Sequence, residues 1–135
     1  MSDLFFVGRM ILGGYFVYNG ANHFLSTPML AQYAASKGVP APELAVMAAG
    51  LLILIGGLSV LFGLWPQIGA FCIALFLLVV SPVMHHFWAI ADPAQRTGEM
   101  IHFMKNMAML GGVLMMLGVP RPWPYSLEQR RRIGA

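Results

Sequence analysis

Residues 43–64 have the sequence ELAVMAAGLLILIGGLSVLFGL, and this stretch decides the fold class. Its one charged residue is Glu43 at the first position, and every other side chain except Ser59 is apolar or absent. An α-helix rises about 1.5 Å per residue, so about 20 residues cross a hydrocarbon layer of about 30 Å. A buried helix of a water-soluble bundle is the weaker alternative, because no polar face recurs at the helical repeat. We therefore predict a membrane-spanning helix here.

The composition of the whole chain also indicates a membrane protein. Hydrophobic residues make up 59% of the 135 residues and charged residues only 10%, whereas soluble domains carry about 25% charged residues. The length suits a single domain. One cysteine, Cys72, excludes an intrachain disulfide and a CxxC redox pair. We predict no nucleic-acid partner, because the chain lacks a folded basic surface.

Three further apolar stretches flank residues 43–64. Prolines separate them, because proline lacks an N–H and disfavours helical geometry in the residue before it. The predicted spans are at about residues 4–24, 43–64, 68–90 and 98–119. The fold class is therefore predicted as all-α, an antiparallel bundle of four transmembrane helices in one domain (residues 1–120). Residues 121–135 are predicted to form a short basic cytoplasmic tail.

The distribution of basic residues predicts the orientation. With four spans, both termini lie on one side, together with Arg9, Arg121 and a run of three arginines that starts at Arg130. The two opposite loops carry only Lys37 and Arg96. Because an excess of Lys and Arg marks the cytoplasmic side, we expect N-in and C-in. The basic tail is typical of a topology signal or of a contact with anionic lipid.

The same topology makes expectations for Arg9 and for the tryptophans. Trp65 and Trp123 are expected at the inner membrane interface and Trp88 at the outer one, where aromatic belts form. Arg9 is expected to snorkel to the cytoplasmic interface or to cap a neighbouring helix end. A cytoplasmic anion contact of Arg9 is the weaker alternative.

Polar side chains of the first, third and fourth spans gather in the half of the membrane opposite the termini. At about 100° per residue, they form one stripe on each helix. A charged group near the bilayer centre costs at least about 2.5 kcal/mol, so the stripes are expected to turn inward around a shared pocket. The candidate ligand-binding residues are Asn19, His23, His85, Trp88, Glu99, His102, Lys105 and Asn106.

Several roles are open to this cluster. Lys105 needs an anionic partner, and Glu99 is the expected one. His, Lys and Asn donors beside Trp88 could hold the carbonyl oxygens of a quinone. Haem or a metal ion is less favoured, because no two histidines share a helix face, and His85 and His86 diverge by about 100°. Which of these two histidines faces the interior stays open, and a cluster that only ties helices together is the alternative.

Small residues recur at a spacing of four. Such pairs let helices approach closely in lipid, and they would suit either contacts within the bundle or association with a second copy. Ordinary Gly and Ala content explains them equally well. The pairs are Ala45 and Ala49, Ser59 and Gly63, and Ala108 and Gly112.

Three segments together resemble one family. They are GRMILGGYFVYNGANHF (8–24), the stretch AQYAASKGVPAPELAVMAAGLLILIGGLSVLFGLWPQIGA (31–70), and HHFW…DP…EMIHFMKNMAMLGG within 85–112. Their combination resembles the DoxX-like family of small four-helix membrane proteins. The resemblance implies a four-helix bundle in the cytoplasmic (inner) membrane of a bacterium. The family name comes from a subunit of a thiosulfate–quinone oxidoreductase, and other relatives are linked to membrane redox assemblies and thiol stress.

The resemblance and the polar cluster lead to one functional expectation. The protein is expected to be an accessory subunit of a membrane redox system, with a quinone-like or small anionic ligand in an outward-facing polar pocket. Its partners would be the lipid bilayer and a redox protein or a second copy. The alternative is a non-catalytic scaffold or assembly partner whose polar cluster is structural. Catalytic residues are not predicted.

Overall fold

The computed structural model describes residues 1–133, and every regular element in this range is a helix. The all-α prediction is therefore confirmed. The elements are α1 (Ser2–Leu25), α2 (Thr27–Ser36), α3 (Pro42–Phe62), α4 (Pro66–Met84), a 3₁₀ turn (Phe87–Ala89), α5 (Pro93–Leu117) and α6 (Leu127–Ile133).

Three of the helical segments are long and apolar enough to span a membrane. They are Pro42–Phe62, Pro66–Ala89 and Pro93–Leu117. Helix α1 is also long, with 24 residues, or about 36 Å at 1.5 Å per residue. It carries polar residues, among them Arg9 and Asn19, and it is not one of these three segments.

Local sequence signals explain the helix boundaries. Helices α3, α4 and α5 each begin with a proline, whose missing N–H is not needed in the first turn. Asp92 caps α5 by accepting a hydrogen bond from the backbone N–H of Gln95 at 2.8 Å. Helix α4 ends at Met84, before the predicted end at residue 90, because Pro82 removes a helical hydrogen bond near its end.

Helix α3 lies at the centre of the arrangement. It packs against α1, α2 and α4, whereas α5 packs against α4 and the 3₁₀ turn. The four long helices therefore follow the order α1, α3, α4, α5. A cleft of about 670 Å³ lies between α1 and α5. The bundle is consequently tight around α3 and open between its first and last long helices.

Glycines bring the backbones of α1 and α3 into contact. A Cβ atom on Gly57 would lie 2.7 Å from the backbone nitrogen of Val17, and one on Gly13 would lie 2.8 Å from that of Leu61. Any side chain at these positions would force the two helices apart. Four glycines, two on each helix, make this contact: Gly13, Gly20, Gly50 and Gly57.

The segment between α1 and α3, which was predicted as a loop carrying Lys37, contains a helix. Helix α2 packs on α3 through a small buried cluster of Ala31, Ala34 and Val46. Its short length and small residues leave no apolar periodicity that would predict it.

The chain after α5 returns to the start of α1. The hydroxyl of Tyr125 donates to Asp3 Oδ1 at 2.9 Å, so both ends of the described chain lie at the same end of the bundle. Trp123 is only 1% exposed, and its ring meets Phe5 edge-on at 5.1 Å. The prediction that Trp123 belongs to an interfacial belt is therefore wrong, because the returning chain inserts the indole into the core.

Of the two expectations for Arg9, snorkelling to the cytoplasmic interface is wrong, whereas its Nη1 does lie close to Gly63 at the end of α3. Arg9 is 1% exposed, so it does not snorkel to the interface. Its Nη2 donates to the carbonyl oxygen of Tyr125 at 3.0 Å. The returning chain covers the guanidinium, and no periodicity in the sequence shows this fold-back.

The glycine contact can be tested with two alanine substitutions. Gly57→Ala should lower the stability by about 1–3 kcal/mol, because the new methyl group meets the backbone of α1. Gly14→Ala is the matched control, because a Cβ there meets nothing within 4 Å. It should be neutral or stabilise by up to about 1 kcal/mol through helix propensity. Thermal unfolding in mild detergent measures both, and equal effects of the two substitutions would contradict the proposed contact.

Candidate functional site

Glu99 on α5 binds side chains from three other segments. Its Oε1 accepts hydrogen bonds from Lys37 Nζ at 2.7 Å and from the Tyr33 hydroxyl at 3.2 Å. Its Oε2 lies 2.6 Å from Nδ1 of His85, the residue that ends α4. We call Tyr33, Lys37, His85 and Glu99 the Glu99 cluster. The cluster joins α2, the chain after it, the end of α4 and the start of α5.

Two members of the Glu99 cluster precede α3 and have shifted pKa values. Burial lowers the pKa of Lys37, but the hydrogen bond to Glu99 and the nearby negative charge outweigh burial, so the pKa rises above its usual value. Burial, followed by the charge of Glu99, raises the pKa of Tyr33. At neutral pH Lys37 is therefore charged and Tyr33 is a neutral donor. The stabilisation from Lys37 is complete below its unfolded pKa and is lost as the pH rises through its raised folded pKa.

Lys105 does not pair with Glu99 as predicted. Its Nζ lies 3.5 Å from Nδ1 of His102, and the His102 ring stacks on His85 with ring centroids 5.2 Å apart. Lys37 and His85 occupy the carboxylate of Glu99 instead. Lys105 lies about 9 Å deeper along α5 than Glu99, at 1.5 Å per residue, which separates the two side chains.

A polar cavity of about 140 Å³ lies beside the Glu99 cluster. Side chains of α1, α3, α4 and α5 and His85 line it, with Phe16 and Phe76 among its apolar walls. Five of the eight predicted site residues contribute to the lining: Asn19, His23, His85, Lys105 and Asn106. Two of them also bond within α1, because Asn19 donates to Tyr15 O at 2.8 Å and His23 Nδ1 lies 2.7 Å from Asn19 O.

The other three predicted residues lie outside the cavity lining. Glu99 does not line the cavity but binds His85, which does. His102 lies next to Lys105, another residue of the lining. Trp88 is 56% exposed, and its ring meets Phe87 and Phe103 edge-on. His102 and Lys105 are both exposed on the outside of the chain. The cavity is therefore bordered by α5 but not closed by it.

The structure also separates the two adjacent histidines. His85 borders the cavity and binds Glu99, whereas His86 Nδ1 lies 3.0 Å from the carbonyl oxygen of Val83. The end of α4 at Met84 turns the chain between them. Within residues 1–133, no group of three or more His, Cys, Asp or Glu side chains is arranged to hold a metal ion.

A larger apolar groove adjoins the polar cavity. It has a volume of about 530 Å³ and lies between α2, α3 and α4. His23, Phe76 and Val80 line both the groove and the cavity. The polar cavity and the apolar groove therefore share part of their walls.

Sequence reasoning missed Tyr33 and Lys37 as members of this site. Lys37 was visible as one of two basic residues on its side of the membrane. Its side chain is only 14% exposed because it bonds to Glu99. Only the position of α2, which the sequence did not predict, brings Tyr33 and Lys37 to α5.

The fold and the site define an integral membrane protein of helical architecture, with a polar cavity between the middle of its long helices and the end opposite its termini. Residues 4–86 match the model of the DoxX family, and the chain belongs to this family. The match covers α1 to α4 and ends before α5, which carries Glu99, Lys105 and Asn106. The resemblance inferred from the sequence is thus confirmed.

The chain is also similar to a curated bacterial protein. It shares 26% identity with inner membrane protein YphA of Escherichia coli (strain K12) over 127 residues, which cover 94% of this chain and 89% of YphA. No solved structure matches the chain.

The Glu99 cluster predicts a measurable contribution to stability. Glu99→Gln should lower the free energy of unfolding by about 1–3 kcal/mol, because Lys37 keeps a partly buried charge without its carboxylate. Glu43→Gln is the matched control, since Glu43 is exposed at the start of α3, and it should change stability by less than about 1 kcal/mol. Thermal unfolding in detergent at pH 7 compares them, and equal losses would refute the structural role of Glu99.

Proposed function

We propose that this DoxX-family protein is an accessory subunit of a membrane redox system that binds a quinone-like ring or a small anion. The binding site is the polar cavity of about 140 Å³. The observation that carries this proposal is the convergence of polar side chains from α1, α5 and the end of α4 on one ring-sized space. Its residues with ligand roles are Lys105 and Asn106 as donors and His85 as an acceptor, with Asn19 and His23 on the opposite wall.

The size of the cavity supports a ring or a small anion. A cavity of about 150 Å³ holds benzene in another protein, so this space suits one six-membered ring. A drug-sized ligand needs about 300–1,000 Å³ and would not fit. The adjoining apolar groove of about 530 Å³ would take the tail of an amphipathic ligand, past His23 and Phe76.

The donor chemistry suits quinone carbonyls or an anion. The ammonium of Lys105 carries three N–H donors, and His102 occupies one direction. Nδ1 of His85 donates to the carboxylate of Glu99, so Nε2 of the neutral ring faces a ligand as an acceptor, which suits a quinol hydroxyl. Glu99 and His102 therefore act as positioning residues. Trp88 is exposed and does not line the cavity, so Phe16 and Phe76 take the role of aromatic wall.

The membrane arrangement is part of the proposal. We infer four spans in a bacterial inner membrane, with α1 as the fourth span and with both termini in the cytoplasm. Close backbone contact of α1 with α3 supports the fourth span. The excess of Arg and Lys at the end that holds the termini supports the orientation. The similarity to an inner membrane protein of E. coli supports the location.

Cysteine labelling tests this orientation. In a Cys72→Ala background, Gln32→Cys should react with a membrane-impermeant maleimide on intact spheroplasts, because residue 32 lies at the predicted outer end. Leu127→Cys should react only after the membrane is permeabilised. Both residues are exposed in the fold. The reverse labelling pattern would overturn the orientation, and labelling of both sites from outside would contradict four spans.

A structural scaffold is the second candidate function. The Glu99 cluster favours it, because one carboxylate accepts three partners and ties three segments together. In that case the polar side chains stabilise the bundle, and no ligand enters the cavity.

A titration distinguishes the two functions. A short-chain ubiquinone and sulfate serve as probes in calorimetry with detergent-purified protein, whose absorption spectrum and mass are first checked for a retained ligand. Lys105→Met should weaken binding of the accepted probe at least about tenfold while the protein stays folded, because one charge-assisted hydrogen bond is lost. Arg96→Met, an exposed basic residue near the start of α5, is the matched control.

Two outcomes of this titration would count against a ligand in the cavity. Unchanged probe binding in Lys105→Met rejects the assignment of the cavity. Absence of binding to the wild type, together with a loss of stability in Lys105→Met, supports the scaffold instead.

A further inference from the structure

Arg9 is a buried cation that forms no salt bridge with any side chain of residues 1–133. It is 1% exposed, and its one hydrogen bond goes to the carbonyl of Tyr125. Its Nε and Nη1 are buried and have no hydrogen-bond partner among residues 1–133. The ring of Phe6, 5.3 Å from the guanidinium carbon, gives a weaker cation–π contact. Removing one charge from water costs several kcal/mol. Among residues 1–133, no carboxylate pairs with Arg9 to offset this penalty.

The side chain of Arg9 forms part of the wall of the cleft between α1 and α5. This cleft has a volume of about 670 Å³, and nearly all its other walls are apolar. Along α1 it runs from Leu4 to Tyr15, about 16 Å at 1.5 Å per residue. Ile11 and Met115, which border it, are 70% and 78% exposed, so the cleft opens to the surroundings of the bundle. It therefore has the shape and lining of a site for an acyl chain.

We propose that the cleft binds an anionic phospholipid from the surrounding bilayer, with its phosphate on Arg9 and an acyl chain between α1 and α5. A guanidinium presents two parallel N–H donors to a phosphate, and Nε with one Nη is such a pair. In the structure these nitrogens lie on the core side, with Nη1 close to Gly63, so the proposed contact requires the guanidinium to turn toward the cleft when the lipid binds. Exposed Arg130, Arg131 and Arg132 at the same end of the bundle add attraction for an anionic lipid surface.

The end of this site that holds Arg9 is distant from the polar cavity of the proposed function. Arg9 lies about 15 Å from Asn19 along α1, at 1.5 Å per residue, and toward the end that holds the termini. Free phosphate would satisfy Arg9 but leave the apolar walls empty. A neutral phospholipid would fill the walls but bring no net negative charge to Arg9. An anionic phospholipid satisfies both features.

Thermal unfolding of delipidated protein in detergent tests the proposal. Phosphatidylglycerol should raise the unfolding temperature of the wild type more than phosphatidylcholine with the same chains or inorganic phosphate does, because each of these supplies only one of the two features. In Gly112→Leu, the apparent affinity for phosphatidylglycerol should fall at least about tenfold, because the new side chain fills the cleft. A Cβ on Gly112 meets nothing within 4 Å, so the substitution leaves the helix packing intact.

Gly111→Leu is the matched control. A Cβ there also meets nothing within 4 Å, but Gly111 does not line the cleft, so its response to phosphatidylglycerol should equal that of the wild type. Arg9→Met should remove the preference for phosphatidylglycerol over phosphatidylcholine. If Arg9→Met fails to fold, the pair of glycine variants still decides.

Four results would overturn the proposal. They are equal stabilisation by both phospholipids, full stabilisation by inorganic phosphate alone, an unchanged response in Gly112→Leu, and a dimer that Gly112→Leu converts to monomers without bound lipid. The last result would assign the cleft to a second copy of the chain.

Discussion

The close backbone contact between α1 and α3 is the constraint on which the rest of the structure depends. In a bilayer the hydrophobic effect does not drive helices together, so association relies on close packing and hydrogen bonds. Gly13 and Gly57 provide that packing by leaving no side chain between the two backbones. Because α3 also packs on α4, α5 is held mainly through α4, the 3₁₀ turn and the hydrogen bonds of Glu99 to Tyr33 and Lys37. The gap between α1 and α5 is the geometric consequence.

Glu99 and Arg9 are charged residues, half-buried and buried, in opposite halves of the bundle, and they differ in the number of partners that stabilise their charge. Glu99 accepts hydrogen bonds from Tyr33 and Lys37 and lies 2.6 Å from His85 Nδ1. Arg9 makes one hydrogen bond to a backbone carbonyl. A carboxylate with three partners is stable within the folded chain alone, because its lone pairs are satisfied. A guanidinium with one neutral partner still favours an external anion, and this difference separates a structural cluster from a binding site.

The helical fold and the family could be predicted from the sequence because long apolar stretches and their proline boundaries are local signals. The partner of Glu99 could not, since it depends on α2, whose short and weakly apolar sequence has no clear period. The pairs of small residues at a spacing of four did not predict the main contact between helices. The glycines that meet are seven residues apart on each helix, as Gly13 and Gly20 show. Which small residues lie in a helix contact depends on the surface of the partner helix, and this is not a local sequence signal.

Helical phase placed polar residues on stripes, but it could not give the order of helices around the bundle. Because α5 packs mainly on α4 and little on α1, His102 and Lys105 stay exposed on α5 rather than enclosed. Tyr15 and Met109 line both the cleft and the polar cavity, so the two spaces adjoin through them. Because the proposed phospholipid fills that cleft, a ligand from the bilayer would reach the donors from the apolar groove between α2, α3 and α4, past His23 and Phe76. An amphipathic ligand gains most from this route, because its tail stays in apolar surroundings while its ring meets Lys105.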